Sequence, residues 1–249
     1  MREAGRTIEA LKAAGLAARD KADASPVTEA DEAAERILEA AVRTLEPDAV
    51  IIGEEAASAG HLPAPCPRFW LIDPLDGTRD FLAGREGYTV NLALVVEGVP
   101  AFGLVLHPPS GRLWIGARGE GAWRAAADGT TQPIRTRALP AAPALVVSHS
   151  HLDDRTRSWA DAIAGATRAS AGSSIKFCLL AEGAADAYPR FGPTMEWDTA
   201  AADAVLRAAG GLTLGTDGAP LGYGKPGYRN GPFLALGEPA ALGKLPAFG

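Results

Sequence analysis

The chain has 249 residues, 47% hydrophobic and 22% charged, with a net charge of −6. That composition belongs to a soluble globular protein with an ample core, and its negative balance argues against a nucleic-acid polymer or an anionic membrane as main partner. Only Cys66 and Cys178 are present, the start is charged at Arg2-Glu3 and no apolar run reaches spanning length; the expectation is a cytoplasmic protein with no disulfide framework, secretory signal or transmembrane segment.

Residues 2–20 carry Ile8, Leu11, Ala14 and Leu16 at helical intervals and predict an amphipathic helix. Lys21 to Pro26 breaks the pattern. Ala34, Ile37, Leu38, Ala41, Val42 and Leu45 then form one stripe of a second helix opened by Thr28 and ended by Pro47. Thr28 and Asp31 fit a capping-box variant, so spacing alone makes Asp31 a cap. Val50-Ile51-Ile52 predicts a short strand with Gly53-Glu54-Glu55 at its exit. Adjacent glutamates are usually solvated charges, yet Glu54 would converge on Asp73 if this strand neighboured the next. Ala56 to Pro67, with three prolines, reads as a surface excursion and candidate flap.

Phe69 to Ile72 reads as a buried strand that stops at Asp73-Pro74. Pro74 fixes its own φ and Gly77 permits a positive one, which predicts a tight, pre-set turn. Such a turn aims Asp73, Asp76 and the Leu75 carbonyl at one point, and clustered hard oxygens suit Mg²⁺ better than Zn²⁺. The amides of Gly77 and Thr78 add an anion cradle if they open a helix. The plainer alternative is that these aspartates only cap the turn, but three of them in eight residues exceed what one turn requires. A metal–carboxylate cluster beside an anion cradle points to phosphoryl transfer to water. No D-x-D or C-x5-R nucleophile motif is present, so covalent catalysis is not indicated.

Segments 89–96, 101–107, 113–117 and 122–124 are strand-like and separated by hairpin signals, predicting an antiparallel sheet. The proline-rich, patternless run from Gln132 to Pro143 marks a sub-domain boundary. Beyond it, 144–147 predicts a strand leading to His149 and His151, which share a face that could hold a metal or a phosphate, although such a pair is more often simply polar and exposed and no third ligand is near. A helix is expected over 154–163. Ser173 or Ser174 can cap the next helix, and Lys176 in its first turn opposes the macrodipole, which makes it a ligand-contact candidate. Tyr188 to Pro193 is expected to be a rigid loop presenting Arg190, whose planar fork suits phosphate. Trp197-Asp198-Thr199 opens the last convincing helix, with Asp198 as its plain cap and Gly210-Gly211 as its end. Phe233 to Leu236 predicts a closing strand.

Gly53-Glu54-Glu55, Asp73-Pro74-Leu75-Asp76-Gly77-Thr78 and Trp197-Asp198-Thr199-Ala200-Ala201 with Gly210-Gly211 together resemble the lithium-sensitive, Mg²⁺-dependent inositol monophosphatase superfamily, from about Lys21 to Gly231. Gly172-Ser173-Ser174-Ile175-Lys176-Phe177-Cys178, Tyr188 to Thr194 and Ser25 to Asp31 are similar to its CysQ-type 3′(2′),5′-bisphosphate nucleotidase branch. Two departures stand out: Arg79-Asp80 where that branch often has Lys-Glu, and Met195-Glu196, expected to adjust base or sugar recognition.

The resemblance implies an α/β (α+β) fold, the layered αβαβα sandwich of the inositol monophosphatase and fructose-1,6-bisphosphatase type. An N-terminal α+β unit (1–136) would carry most metal ligands, and a C-terminal α/β unit (137–249) would complete the site and bind nucleotide. It implies one Mg²⁺ on Glu54, Asp73 and the Leu75 carbonyl, and a second on Asp73, Asp76 and Asp198. Asp31 would support a third, weaker metal or its waters. Glu54 and Thr78 would orient the attacking water, Gly77 and Thr78 hold the phosphate, and Ser173, Lys176 and Arg190 contact the nucleotide. The implied reaction is hydrolysis of 3′-phosphoadenosine 5′-phosphate to AMP and phosphate, in sulfate assimilation and nucleotide recycling, by a cytoplasmic monomer or homodimer. The alternatives are an inositol or sugar-phosphate monophosphatase and a non-catalytic nucleotide sensor.

Overall fold

The computed structural model describes residues 1–15, 19–20, 26–148 and 153–248, with backbone alone at 19–20 and 26–27. The expectations for Leu16, Lys21 to Ser25 and the His149/His151 pair lie outside the described residues. Helix α1 (Arg2–Ala13) ends earlier than expected, because Gly15 turns left-handed just past its end. Strands β1 (Arg19–Asp20) and β2 (Pro26–Val27) pair antiparallel. Helix α2 (Glu29–Leu45) starts on the expected capping box: Ala30 N–H donates to Thr28 Oγ1, and Thr28 N–H donates to Asp31 Oδ2 at 2.8 Å.

Strand β3 (Ile51–Gly53) leads into α3 (Glu54–Ser58), and β4 (Arg68–Asp76) into α4 (Thr78–Leu82). The hairpin run follows as β5 (Thr89–Val96), β6 (Val99–His107), β7 (Arg112–Ala117), β8 (Gly121–Ala125) and β9 (Thr131–Ile134). These seven strands form one sheet in chain order, parallel only between β3 and β4. The last strand corrects the expectation of a patternless boundary from Gln132. Pro133 is tolerated there because β9 is the sheet edge and needs no donor on its outer side.

The second half carries β10 (Ala144–Ser148), α5 (Asp154–Asp161), β11 (Thr167–Ala171), α6 (Ile175–Ala181), β12 (Ala187–Arg190), β13 (Thr194–Met195), α7 (Ala200–Ala208), β14 (Leu212–Gly215), β15 (Arg229–Asn230) and β16 (Phe233–Leu236). Five of them make a mixed sheet in the order β11-β10-β12-β16-β14, while β13 pairs with β15. Tyr188 to Arg190, expected as loop, is strand β12 between β10 and β16. Neither β11 nor β14 was anticipated. Four of the five β11 residues are exposed, so burial leaves no alternation to read there.

Side-chain alternation sorts the chain into five layers. Ile51, Trp70, Ile72, Val90 and Leu92 face α1 and α2, packing on Ile8, Leu38 and Val42. Their neighbours Ile52, Phe69, Leu71, Ala93 and Val95 face the other way, onto α6 and α7, which also receive Val146, Tyr188, Phe233 and Ala235 of the second sheet. That sheet's outer face, with Leu145, Leu214, Leu234 and Leu236, is covered by Trp159 of α5. The order is helix, sheet, helix, sheet, helix. The middle layer is buried on both sides, so its side chains contribute most: about 1.5–3 kcal/mol for each one the size of Leu206 or Phe177. A Cβ on Gly103 would sit 2.1 Å from the Ala201 carbonyl oxygen and one on Gly116 2.4 Å from Val205 Cα. Glycines on the sheet and alanines on α7 thus let the two backbones almost touch.

Candidate active site

Asp73 and Asp76 lie three apart on β4, a spacing that normally puts side chains on opposite faces of a strand. The register with β5 resolves this: Asp73 pairs with Asn91 and Asp76 with Thr89, three steps on one strand against two on the other. The extra residue is a bulge, and it turns both carboxylates to one side. Asp73 Oδ1 accepts from Leu75 N–H at 3.1 Å, which pins the bulge. Gly77 then takes φ +98°, and a Cβ there would sit 2.7 Å from the Gly87 carbonyl oxygen; only glycine fits. Its turn starts α4, and Thr78 Oγ1 lies 3.1 Å from Leu75 O and 3.4 Å from Asp31 Oδ1. Asp31 therefore serves as cap with one oxygen and meets Thr78 with the other.

Glu54 arrives as the first residue of α3 because β3 runs parallel beside β4. Glu35 of α2, 6% exposed, accepts the backbone N–H groups of Glu55 (2.8 Å) and Ala56 (2.9 Å) and clamps that helix start. The second half supplies Asp198 in the turn before α7, where its Oδ2 accepts from Met195 N–H at 2.7 Å. It is not the N-cap, a position taken by Thr199 without a side-chain bond. Ser173 and Ser174 do not cap α6 through their hydroxyls either. Ser173 Oγ donates to Asp76 Oδ2 at 2.6 Å, and Ser174 Oγ donates to the Asp198 carbonyl oxygen at 2.7 Å.

Glu54, Asp73, Leu75, Asp76, Gly77, Thr78, Ser173, Lys176, Arg190 and Asp198 all line one cleft of about 330 Å³; Asp31 sits behind Thr78. The excursion at 56–67 lines none of it, and its Pro63 carbonyl oxygen accepts from Tyr228 Oη. Lys176 is almost fully buried, with Nζ 2.6 Å from the Ser173 carbonyl oxygen and above the Tyr188 ring. Arg190 donates to the carbonyl oxygens of Gly192 and Pro193 on its own loop. Glu196, expected to tune base or sugar recognition, instead points into the core. It is fully buried, ion-paired to Lys225 at 2.7 Å and bonded by the N–H groups of Gly224 and Lys225.

Burial, and then the charges of Glu54, Asp76 and Asp198, push the Asp73 carboxyl well above the usual range. Burial followed by Asp76 and Glu54 does the same to Asp198. Burial pulls the Lys176 ammonium down to about 8, against the opposing pull of Asp76. Among the described residues no three His, Cys, Asp or Glu side chains are drawn together at coordination distance. The donor set still fits Mg²⁺. It consists of carboxylate and carbonyl oxygens, the ligands a hard cation takes, and Asp73 Oδ2 is buried with no hydrogen-bond partner among the described residues. An orphaned carboxylate oxygen costs about 1–3 kcal/mol or more unless something positive answers it.

Ten of the eleven expected site residues line the cleft, but Ser148, Ser174, Tyr188 and Thr199 on its wall were not put forward, nor were Glu35, Thr89 and Asn91, which hold the site's elements in place. A signal existed for three of them. Glu35 falls four residues after Asp31, and Thr89 and Asn91 alternate on an otherwise apolar strand.

A profile of the inositol monophosphatase family matches residues 1–241. The chain belongs to that family, and is thus a phosphatase by class. The 3′(2′),5′-bisphosphate nucleotidase CysQ of Escherichia coli is 42% identical over 204 residues, 82% of this chain and 81% of that protein. Among solved structures, CysQ from Bacteroides thetaiotaomicron superposes with TM-score 0.79 at 32% identity, covering 94% of this chain and 93% of that one. An inositol monophosphatase from Zymomonas mobilis follows at TM-score 0.75 and 28% identity, covering 94% and 88%.

Proposed function

We propose that this chain is a Mg²⁺-dependent 3′(2′),5′-bisphosphate nucleotidase that releases the 3′-phosphate of 3′-phosphoadenosine 5′-phosphate, leaving AMP. The observation that carries the reading is the charge of the cleft. Among the described lining residues, Glu54, Asp73, Asp76, Asp80 and Asp198 face Arg79, Lys176 and Arg190, and Asp80 is also paired with Arg85 at 2.6 Å. The four carboxylates left against those three cations would repel a bisphosphate, and divalent ions reverse that sign. Glu54, Asp73, Asp76, Asp198 and the Leu75 carbonyl would hold two Mg²⁺, with Asp31 serving a weaker third. When bound, the ions would supply Lewis acidity toward phosphate oxygens and acidify the attacking water.

The chain's own groups do the rest. The Thr78 hydroxyl has one proton and two acceptors, Leu75 O at 3.1 Å and Asp31 Oδ1 at 3.4 Å. With Leu75 O given to a cation, that proton would turn to Asp31 Oδ1, so the water's proton moves to Thr78 Oγ1 as Thr78's moves to Asp31. Glu54 orients the same water. The Gly77 and Thr78 amides receive the phosphate oxygens. Water oxygen bonds to phosphorus as the bond to the ribose 3′-oxygen breaks, and that oxygen takes a proton from solvent in the open cleft to become the 3′-hydroxyl of AMP. Lys176 has three donors, of which the carbonyl oxygens of Ser173 and Ala171 take two; the third serves the nucleotide's phosphate together with Arg190.

A second reading, a monophosphatase acting on a polyol, is favoured by the Arg190 fork being turned on its own loop. Product analysis tests the proposal. Incubation of 3′-phosphoadenosine 5′-phosphate with Mg²⁺ should yield adenosine 5′-phosphate and one equivalent of phosphate, and chelation should stop it. Accumulation of adenosine 3′-phosphate, or no turnover beside rapid release from inositol 1-phosphate, would overturn it.

A further inference from the structure

On strand β5, otherwise apolar through Val90, Leu92, Ala93 and Val95, two fully buried polar side chains alternate: Thr89 and Asn91. They share the face of Asp76 and Asp73, their cross-strand partners. Each reaches one serine of the 173–174 pair. Ser173 has a single hydroxyl proton and directs it to Asp76 Oδ2. Thr89 is therefore the donor in the close Thr89–Ser173 hydroxyl contact, with Asn91 Oδ1 at 3.1 Å as a second acceptor. Asn91 Nδ2 donates to Ser174 Oγ at 3.1 Å, and Ser174 Oγ donates to the Asp198 carbonyl oxygen. Two parallel limbs thus run from one strand, through one serine each, to one cleft aspartate each. Ser173 sits at φ +54°, a left-handed conformation that is disfavoured for a non-glycine residue. The limbs, together with Lys176 on the Ser173 carbonyl, hold that turn in place.

We propose that Thr89 and Asn91 are positioning residues for the cation site, with Ser173 and Ser174 as their relays. They set the separation of Asp76, from the first half of the chain, and Asp198, from the second. This rests on the Mg²⁺ reading above. Stability alone does not call for these groups, because replacing buried hydrogen-bonded partners with apolar groups of equal shape is often nearly neutral. Their common destination, the two aspartates that would share one ion, is what a positioning role explains.

Thr89→Val keeps shape and removes the donor; Thr89→Ser restores the hydroxyl; Ser174→Ala cuts the second limb. Mg²⁺ binding to the full-length protein is measured by calorimetry without substrate, and Tm is measured in EDTA. Thr89→Val and Ser174→Ala should each raise the Mg²⁺ Kd by roughly tenfold to a hundredfold, as loss of groups that orient metal ligands does. Thr89→Ser should return it to near wild type, and Tm in EDTA should fall only by the few degrees that the unpaired partners cost, with no dependence on Mg²⁺. Adding Asn91→Ala to Ser174→Ala should weaken binding little further, since both lie on one limb. Wild-type Mg²⁺ affinity in Thr89→Val and Ser174→Ala, with or without a lower Tm, would overturn the inference and reduce the limbs to core packing. If Thr89→Val does not fold, Ser174→Ala decides alone. Absence of Mg²⁺ binding by the wild type would instead overturn the metal reading itself.

Discussion

Asp31 divides its carboxylate between two partners. Oδ2 receives the Thr28 N–H and hydroxyl at the head of α2, and Oδ1 meets Thr78. Asp31→Asn should therefore show two separable losses. The cap costs about 1 kcal/mol, read as a Tm drop of a few degrees. Proton uptake through Thr78 costs kcat a factor of about 10²–10⁴. An unchanged kcat beside the Tm drop would leave Asp31 as a cap only. Lys176 offers a pH test. Its ammonium is depressed from 10.5 to about 8 by burial, so it is charged below that value and neutral above it. A lowered base carries its folding penalty below the folded pKa and sheds it as pH rises between the folded and unfolded values. Substrate affinity goes the other way: KM for the bisphosphate should climb as pH passes about 8. Lys176→Met should show a higher KM, flat across that range, and should be stabilised relative to wild type more at pH 7 than at pH 9. Parallel KM profiles for the two proteins would remove Lys176 from the substrate's contacts.

Between the residues and the sheet, the deciding element is the bulged end of β4. Pro74 and Gly77 announced a pre-set turn, and that much was legible, because both residues restrict or extend φ whatever surrounds them. The bulge itself was not. Whether two aspartates three apart share a face depends on the register of β5, a partner found only when the sheet assembles. Strands β9 and β11 escaped for a related reason, since edge strands that are largely exposed bury too little to impose alternation, while β14 buries the adjacent Thr213 and Leu214 and so shows none. A helical glutamate is ordinarily solvated, but the Glu35 carboxylate is buried, and its pKa is raised by that burial against the two backbone N–H groups it accepts. Removing it frees the head of α3. Glu35→Ala should raise the Mg²⁺ concentration needed for half-maximal activity and lower stability by about 1–3 kcal/mol through the two unsatisfied amides. Glu35→Gln, which keeps one acceptor oxygen, should recover part of both. A variant that lost stability but kept its Mg²⁺ requirement would separate Glu35 from Glu54.

At the scale of the whole molecule, the central helical layer ties the two sheets through one continuous core, and the cleft opens where their loops meet. Among the described residues no helix is long and apolar enough to cross a membrane. Buried carboxylates crowd the junction, so cation binding should stabilise the fold as a unit. At a hundredfold excess over Kd, Mg²⁺ should contribute about 2.7 kcal/mol, roughly 5–10 °C in Tm for a chain of this size. Asp76→Asn, which removes charge without changing shape, should fold normally, lose that gain and lose activity. Full turnover in that variant would contradict the cation site.

The bisphosphate assignment is tested most directly by comparing kcat/KM, with Mg²⁺ present, for 3′-phosphoadenosine 5′-phosphate, inositol 1-phosphate and fructose 1,6-bisphosphate. A preference of a hundredfold or more for the adenosine bisphosphate, about 2.7 kcal/mol at the transition state, is the predicted result. Equal or faster turnover of inositol 1-phosphate would contradict it, keeping the fold and the cation site but removing Lys176 and Arg190 from substrate recognition.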